Sequence, residues 1–177
     1  MNLATLDNNL KNYSRDLTDR FVSPAERLNL MNEALRTINS DWDWEWTKTN
    51  TTFTYTAGSN VYELSAIAPT FKRPIDLFYS EDYEFNYISP EDFNNLTNES
   101  LNVWSTDYNK LSATTSFGSG TLNLSYYSNT VAQTSGGSAL SAMINSTDSP
   151  IIPERFQDMI TDYAAAYIFQ KQAKRDD

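Results

Sequence analysis

Apolar side chains recur at helical spacing near both ends of the chain. In residues 3–20 they stand three or four positions apart, which is the pattern of one helix face. A second such stripe begins near residue 24 and a third near residue 153. The three stripes consist of Leu3, Leu6, Leu10, Tyr13 and Leu17, of Leu28, Met31, Leu35 and Ile38, and of Phe156, Met159, Ile160, Tyr163, Ala164 and Tyr167. The pattern predicts three main helices, the first two forming an antiparallel hairpin.

Two short segments carry the residues that typically start a helix. In SPAE, residues 23–26, the serine can cap, the proline suits the first helical position and the glutamate completes a capping box. The segment SPED, residues 89–92, repeats this signal. We therefore expect a start of the second helix at residue 23 and a short helix near residues 90–98.

The helical period gives way to a strand period at DWDWEW, residues 41–46. Strand alternation would place Trp42, Trp44 and Trp46 on one face and three carboxylates on the other. One interpretation is a buried strand face, with the tryptophans forming a junction cluster between a helical body and a β-rich segment. The other is a sugar platform beside paired carboxylates, as in a glycan-active domain. We favour the junction cluster, because adjacent acids on one strand face would both be solvated.

The middle of the chain has the composition of strands joined by tight turns. We expect three hairpins, which pair residues 47–56 with 61–64, residues 71–79 with 83–88, and residues 108–117 with 121–128. Residues 129–150 are rich in serine, threonine and glycine, and they predict a long loop that is mobile or ordered by a partner.

These elements predict an α+β fold class. An antiparallel helical bundle of about three main helices would carry a β-rich insertion of hairpins between the second helix and the C-terminal helix. We expect one domain over residues 1–177, since the length suits a single core. Its parts would be a helical hairpin at 1–41, the insertion with its short helix at 42–150, and a C-terminal helix and tail at 151–177.

The composition excludes several classes of chemistry. The chain has no cysteine and no histidine, so disulfides, thiolate metal sites and Ser-His or Cys-His nucleophile systems are excluded within it. The acidic run at residues 81–84 lacks the spaced acidic residues and the glycine of a calcium-binding loop. The glycine-containing segments at residues 118–120 and 135–138 do not open a helix after a strand, so neither has the pattern of a phosphate-binding loop. We expect no catalytic residues, no metal and no cofactor.

The net charge of -10 is concentrated in the middle of the chain. Residues 41–150 carry four basic side chains (Lys48, Lys72, Arg73 and Lys110) against thirteen acidic ones, a net charge of -9. Such a surface disfavours sequence-specific nucleic-acid binding. No apolar run approaches the roughly 20 residues of a membrane span, and the N-terminus lacks the apolar core of a signal peptide. We therefore expect the protein to act in the cell that makes it, or in a particle assembled there.

Taken together, the order of elements resembles the head-to-tail adaptor, or connector, proteins of tailed bacteriophages. The resemblance spans nearly the whole chain and consists of element order and aromatic placement. The matching segments are LNLMNEALRTIN followed by WDWEW, then VYEL, KRPIDLFY, ISPEDF, GTLNLSYY and IPERFQDMITDYAAAY. It implies a structural virion protein without enzymatic activity.

The resemblance also implies an assembly. Such adaptors form a homo-oligomeric ring, dodecameric in the virion, in the neck between the capsid portal and the tail. The ring would assemble in the host cytoplasm and bind the portal protein on one side and a stopper or tail protein on the other. DNA would pass through the lumen as non-specific cargo, and an acidic wall would keep it from adhering. No membrane is involved.

By the same resemblance, the C-terminal region docks onto the portal. We expect this contact to use Phe156, Met159, Tyr163, Tyr167, Lys171, Lys174 and Arg175. A cut after about Ala166 should then abolish portal binding and leave the domain folded. Two alternatives stay open: a carbohydrate-binding or glycan-active module built on the tryptophans, and another phage neck or tail-completion protein.

Overall fold

The chain forms two compact units, a helical unit and a β-rich unit. The helical unit joins Met1–Thr47 to Asn129–Asp177, and the β-rich unit is Lys48–Ser128. The computed structural model describes residues 1–16, 18–79, 83–97 and 101–176, with side chains described up to residue 173. Helices and sheets both occur, which confirms the α+β class. Over these residues no helix is long and apolar enough to cross a membrane.

Helices α1 (Leu3–Ser14), α2 (Pro24–Asp41) and α5 (Asp158–Asp176) belong to the helical unit, and the short α3 (Leu64–Ile67) and α4 (Pro90–Asn94) belong to the β-rich unit. The three long helices contribute to one apolar core, because each buries a stripe at helical spacing. Its fully buried side chains include Leu6 and Leu10 from α1, Met31 and Leu35 from α2, and Ile160, Ala164 and Ile168 from α5.

The starts of α2 and α4 confirm the predicted signals. The hydroxyl of Ser23 accepts the N–H of Glu26 at 3.3 Å, and the hydroxyl of Ser89 accepts the N–H of Asp92 at 3.1 Å. Each serine thereby satisfies one backbone donor that a helix start leaves without a partner. Helix α4 is shorter than predicted and ends at Asn94.

Helix α1 ends at Ser14, before the predicted residue 20. Arg15 adopts the left-handed conformation, with φ of 57°, and its N–H bonds to the carbonyl of Asn12. The buried carboxylate of Asp16 then accepts the backbone N–H groups of Arg20, Phe21 and Val22. This side chain offers the backbone an alternative to helical hydrogen bonds, so the helix stops. Leu17, the last position of the predicted stripe, lies outside the described residues.

An ion cluster around the buried Arg27 holds α1 against the start of α2. Arg27 is fully buried, and its Nε lies 2.7 Å from a carboxylate oxygen of Asp7. Its Nη1 lies 2.7 Å from Asp19, which also pairs with Lys11 at 3.2 Å. The hydrogen bond from Lys11, with Arg27 adding to it, lowers the pKa of Asp19 below its usual value. The cluster offsets the cost of burying the guanidinium.

The strand predicted at residues 41–46 is wrong. Helix α2 continues through Asp41, Trp42 is its extended C-cap, and Glu45–Thr47 forms a 3₁₀ turn. The indole N–H of Trp44 donates to the carbonyl of Ile38 at 2.6 Å. That bond satisfies a carbonyl that the helix end leaves without a partner, so a tertiary contact overrides the strand pattern.

The β-rich unit contains two four-stranded sheets. One has the order β1-β8-β3-β4 and the other the order β2-β7-β6-β5. Its strands are β1 (Lys48–Tyr55), β2 (Val61–Glu63), β3 (Phe71–Tyr79), β4 (Tyr83–Glu84), β5 (Asn86–Tyr87), β6 (Val103–Asp107), β7 (Lys110–Thr114) and β8 (Gly120–Ser128). Buried side chains from both sheets, such as Leu77 and Leu124 from the first and Trp104 and Leu111 from the second, form one core. The inner faces of the two sheets therefore cover each other.

Two of the three predicted hairpins have the wrong partners. Strand β1 pairs with β8, and β2 pairs with β7, so the first predicted hairpin is divided between the sheets. Strands β7 and β8, on either side of the GSG turn, also lie in different sheets. The second prediction is confirmed in part: β3 pairs with β4 at Phe78–Glu84 and Tyr79–Tyr83, whereas β5 joins β6 in parallel. A turn motif specifies a reversal of the chain, while burial of the apolar faces selects the partner strand.

Residues 129–150 are not the long irregular loop that their composition predicts. Strand β9 (Ala132–Gln133) pairs with β10 (Ala139–Leu140) and β11 (Ser149–Pro150) in a small sheet. Val131, Ala132 and Met143 are buried in the core of the helical unit. The segment therefore lies with the helices, and the β-rich unit has boundaries different from the predicted insertion at residues 42–150.

Polar side chains hold this segment in place. The side-chain amide of Asn32 in α2 donates to the carbonyl of Met143 at 2.9 Å and accepts its N–H at 2.8 Å. The buried carboxylate of Asp148 accepts the N–H groups of Asn145 at 2.7 Å and Ile144 at 2.8 Å, and these bonds lower the pKa of Asp148. Such contacts leave no periodic apolar signal, which is why the composition misleads.

Candidate functional site

Helix α5 turns one side to the core and another to solvent. Ile160, Ala164 and Ile168 are fully buried, four residues apart. Met159 and Tyr167, which the sequence places on the apolar face, are 42% and 40% exposed. The buried stripe therefore includes Ile160 and Ala164 of the predicted face and continues to Ile168, while Met159 and Tyr167 lie beside it. We name the exposed Met159 and Tyr167, together with the partly buried Tyr163 and Phe156, the α5 surface; Phe156 lies in the 3₁₀ turn just before the helix.

Two tyrosines of the α5 surface are joined to each other and to α2. Their ring centroids are 5.5 Å apart and their hydroxyl oxygens 3.5 Å apart. The hydroxyl of Tyr163 donates to Oγ1 of Thr37 at 3.3 Å. The hydrogen bond with Tyr163, with the charge of Glu33 adding to it, raises the pKa of Tyr167 above its usual value. Tyr167 therefore presents a protonated hydroxyl on a positioned ring at neutral pH.

Phe156 connects the α5 surface to two tryptophans of the cluster at residues 42–46. The rings of Trp44 and Trp46 stack with centroids 4.5 Å apart and an angle of 14° between their planes. The ring of Trp46 lies 5.7 Å from that of Phe156, and the guanidinium of Arg155 lies 4.8 Å from the same phenyl ring. Trp44 and Trp46 pack against the helical core, whereas Trp42 is 66% exposed.

Of the three basic residues in the predicted contact, the structure describes the side chain of Lys171 alone. The ammonium of Lys171 bonds to the carboxylate of Glu26 in the first turn of α2. Both side chains remain partly exposed. The side chains of Lys174 and Arg175 lie outside the described ones. Lys171 therefore offers a neutralised pair rather than an isolated positive charge.

The structure changes the expected effect of truncation. A cut after Ala166 would remove Ile168, which is fully buried in the core of the helical unit. Such a cut would leave a cavity and destabilise the fold. Point substitutions on the α5 surface are therefore the appropriate test of a contact there.

The tryptophans do not form the sugar platform that the sequence suggested. Such a platform needs the three rings on one face, yet Trp44 and Trp46 stack on each other and only Trp42 of this cluster is largely exposed. Within the described ranges, no group of three or more aspartates and glutamates could hold a metal ion. The geometry gives the glycan interpretation no support.

Sequence reasoning missed a second exposed aromatic set in the helical unit. Tyr13, Phe21 and Phe169 line a groove together with Ser14, Arg15 and Gln172. Tyr13 was placed on the apolar stripe of the first helix, but its ring is mostly exposed. The signal in the sequence was the residue type, since Tyr13 is the one side chain with a polar end in a stripe otherwise made of leucines.

Comparison with known proteins agrees with the resemblance drawn from the sequence. A protein-family model described as SU10 adaptor protein matches residues 1–177. No curated protein matches the chain. A match over the whole chain includes both compact units, so it concerns the complete arrangement of helices and strands.

Proposed function

We propose that this chain, which belongs to the SU10 adaptor protein family, is the head-to-tail adaptor of a tailed phage and acts as a ring subunit in the neck of the virion. The observation that carries the proposal is the family match over residues 1–177. A structural phage component needs binding surfaces rather than reactive groups, and the exposed aromatic side chains supply such surfaces.

The ring would join the portal protein to a stopper or tail protein, as a dodecamer in the virion. A cyclic ring needs two unlike contact surfaces on each subunit, because each copy binds its neighbours head to tail. In this proposal α1, α2 and α5 form the bundle that serves as the scaffold, since they share one core. Part of the acidic side chains of residues 41–107 would face the DNA in the lumen and prevent adhesion.

The α5 surface is the proposed portal contact. Met159 and Tyr167 expose large apolar area beside the tethered ring of Tyr163. Tyrosine and methionine are enriched in protein interfaces, and rings already held in position lose little side-chain entropy on binding. Phe156 belongs to the same surface, Lys171 would lie at its rim with its partner Glu26, and Lys174 and Arg175 would extend it.

The test is the mass of the complex with the cognate portal protein. We expect the full chain to form a stoichiometric ring complex with the portal, which mass photometry can measure. Substituting both Met159→Ala and Tyr167→Ala should weaken portal binding at least about tenfold, because buried anchor residues carry most of the binding energy. Ile144→Ala is a matched control, since Ile144 is 69% exposed and lies outside α5, in the segment between β10 and β11.

Each outcome has a definite meaning. Unchanged portal binding by the double variant would refute the α5 surface as the contact. A wild-type chain that forms no complex with the portal would refute the adaptor proposal itself. A chain that binds only after another neck protein has occupied the portal would be the alternative, a stopper or tail-completion protein. Far-ultraviolet circular dichroism would establish that each variant is folded.

A further inference from the structure

The hairpin that joins β6 to β7 presents one tyrosine at its tip. Asp107 pairs with Lys110, so only Tyr108 and Asn109 lie between the strands. Tyr108 is 98% exposed and adopts a left-handed backbone conformation with φ of 48°. That conformation favours glycine or asparagine and strains a residue with a large side chain. Folding of the β-rich unit therefore gives no reason for a tyrosine at this position.

Asn109 holds the tip rigidly. Its Nδ2 donates to the carboxylate of Glu63 at 3.0 Å and to the hydroxyl of Ser65 at 2.9 Å. Its Oδ1 accepts the N–H of Ser65 at 2.9 Å, and its carbonyl accepts the N–H of Leu64 at 2.7 Å. A ring exposed on a tip held by four hydrogen bonds is preorganised for binding, because little backbone freedom remains to be lost.

The helical unit carries a concave surface that suits such a ring. We name it the aromatic groove, defined among the described residues by Tyr13, Ser14, Arg15, Phe21, Phe169 and Gln172, with a volume of about 480 Å³. The rings of Tyr13 and Phe169 lie 6.1 Å apart at an angle of 55°. Aromatic side chains prefer tilted and offset partners, and all three rings of the groove are partly exposed.

The charges around the tip and the groove are opposite. Asp107 precedes Tyr108, and Glu63 accepts a hydrogen bond from the neighbouring Asn109; Lys110 is the strand-register partner of both, so two acidic residues and one basic residue surround the tip. Arg15 lines the groove, and the guanidinium of Arg20 lies 5.8 Å from the ring of Phe21. The residues that line the groove include no acidic side chain. An acidic tip with one exposed ring therefore complements an aromatic groove with a basic rim.

We propose that Tyr108 of one copy of this chain docks into the aromatic groove of a second copy. The contact is heterologous, since tip and groove are different surfaces, and repeated contacts of that kind close a ring. The hydroxyl of Tyr108 would reach Ser14 or Gln172 while its ring packs among Tyr13, Phe21 and Phe169. The inference rests on the proposed ring function and names the side chains of its subunit contact.

Site-directed crosslinking tests the contact, because the natural chain has no cysteine. Copies with Lys110→Cys are mixed with copies with Gln172→Cys and treated with a short bismaleimide, both as concentrated free protein and in the portal-bound ring. A control mixture replaces Gln172→Cys by Ile144→Cys, at a more exposed position. We expect at least tenfold more covalent dimer from the test pair than from the control pair.

Two further variants separate docking from folding. Adding Tyr108→Gly to the Lys110→Cys copy should reduce crosslinking to the control level while its unfolding midpoint stays unchanged or rises, since glycine accepts the positive φ. Adding Arg15→Glu to the Gln172→Cys copy should also lower the yield, and Asp107→Lys in the tip copy should restore it. A yield that Tyr108→Gly leaves unchanged, or that equals the control, would overturn the inference. If the portal-bound ring forms without this crosslink, the contact is refuted and the adaptor function is not. If the crosslink forms but no portal complex does, the adaptor function is refuted and the contact between copies is supported.

Discussion

Asn32 is the residue through which α2 holds the segment at residues 129–150, and Asn32→Ala tests how much that bond stabilises the helical unit. The substitution removes both hydrogen bonds to Met143 and leaves a buried N–H and a buried carbonyl without their partner. Each unsatisfied buried group costs about 1–3 kcal/mol. Water entering the space of the lost side chain would recover part of this, so a total near 3 kcal/mol is expected.

Asn29→Ala is the matched control, because Asn29 lies on the same helix and is exposed. Alanine has a higher helix propensity than asparagine, so the control should be unchanged or more stable by about 0.5 kcal/mol. The same gain applies to Asn32→Ala and reduces its net loss to about 2.5 kcal/mol. The difference between the two variants cancels the propensity effect and isolates the contact with Met143.

Urea denaturation followed by tryptophan fluorescence measures this difference, since Trp42, Trp44 and Trp46 all lie in the helical unit. With a slope of about 1–3 kcal/mol per molar urea, the midpoint of Asn32→Ala should fall roughly 1–3 M below that of the control. Faster hydrogen exchange at the Met143 amide would report the same loss locally. Variants that agree within about 1 kcal/mol would refute the assignment of stability to this bond.

Two further predictions concern buried charge. Arg27→Ala should cost about 3 kcal/mol or more in unfolding free energy, because it removes a buried side chain and leaves Asp7 and Asp19 with the pairing of Lys11 but not of Arg27. Arg36→Ala on the exposed side of α2 should change little; chemical denaturation of both variants checks this, and equal stabilities would contradict it. Asp148 has a lowered pKa, so its contribution is present above its unfolded value of 3.8 and is lost as the pH falls through the lower folded value. Asp148→Asn should therefore flatten the decline of the thermal midpoint below about pH 4, and a decline as steep as that of the natural chain would count against this role.

The sequence predicted the elements whose signals are local. The serines at residues 23 and 89 cap helices as expected, since a cap depends on residues only three positions apart. The second hairpin was predicted in part for the same reason, because β3 and β4 lie only a few residues apart in the chain. The family resemblance also rested on the order of elements, and the family model confirms it over the whole chain.

Contacts between residues far apart in the chain determine the features that the sequence did not predict. The tryptophan alternation predicted a strand, but the bond from Trp44 to the end of α2 and the stacking of Trp44 on Trp46 give a 3₁₀ turn. In α5 the predicted apolar face was too broad, since it included both Ile160, which is buried, and Met159, which is exposed, and only the tertiary contacts distinguish them. Whether a portal binds the α5 surface stays a prediction.

By itself, then, the sequence determined the helical stripes, their starts and the mixed α+β class, because periodicity and capping act within one or two turns of the chain. Only the tertiary structure decided which strands pair, why residues 129–150 lie with the helices, and which aromatic rings reach solvent. The physical reason is that strands pair according to the apolar area that they bury together, and buried polar hydrogen bonds form between the segments that this burial brings into contact. That area exists only once segments far apart in the chain have met.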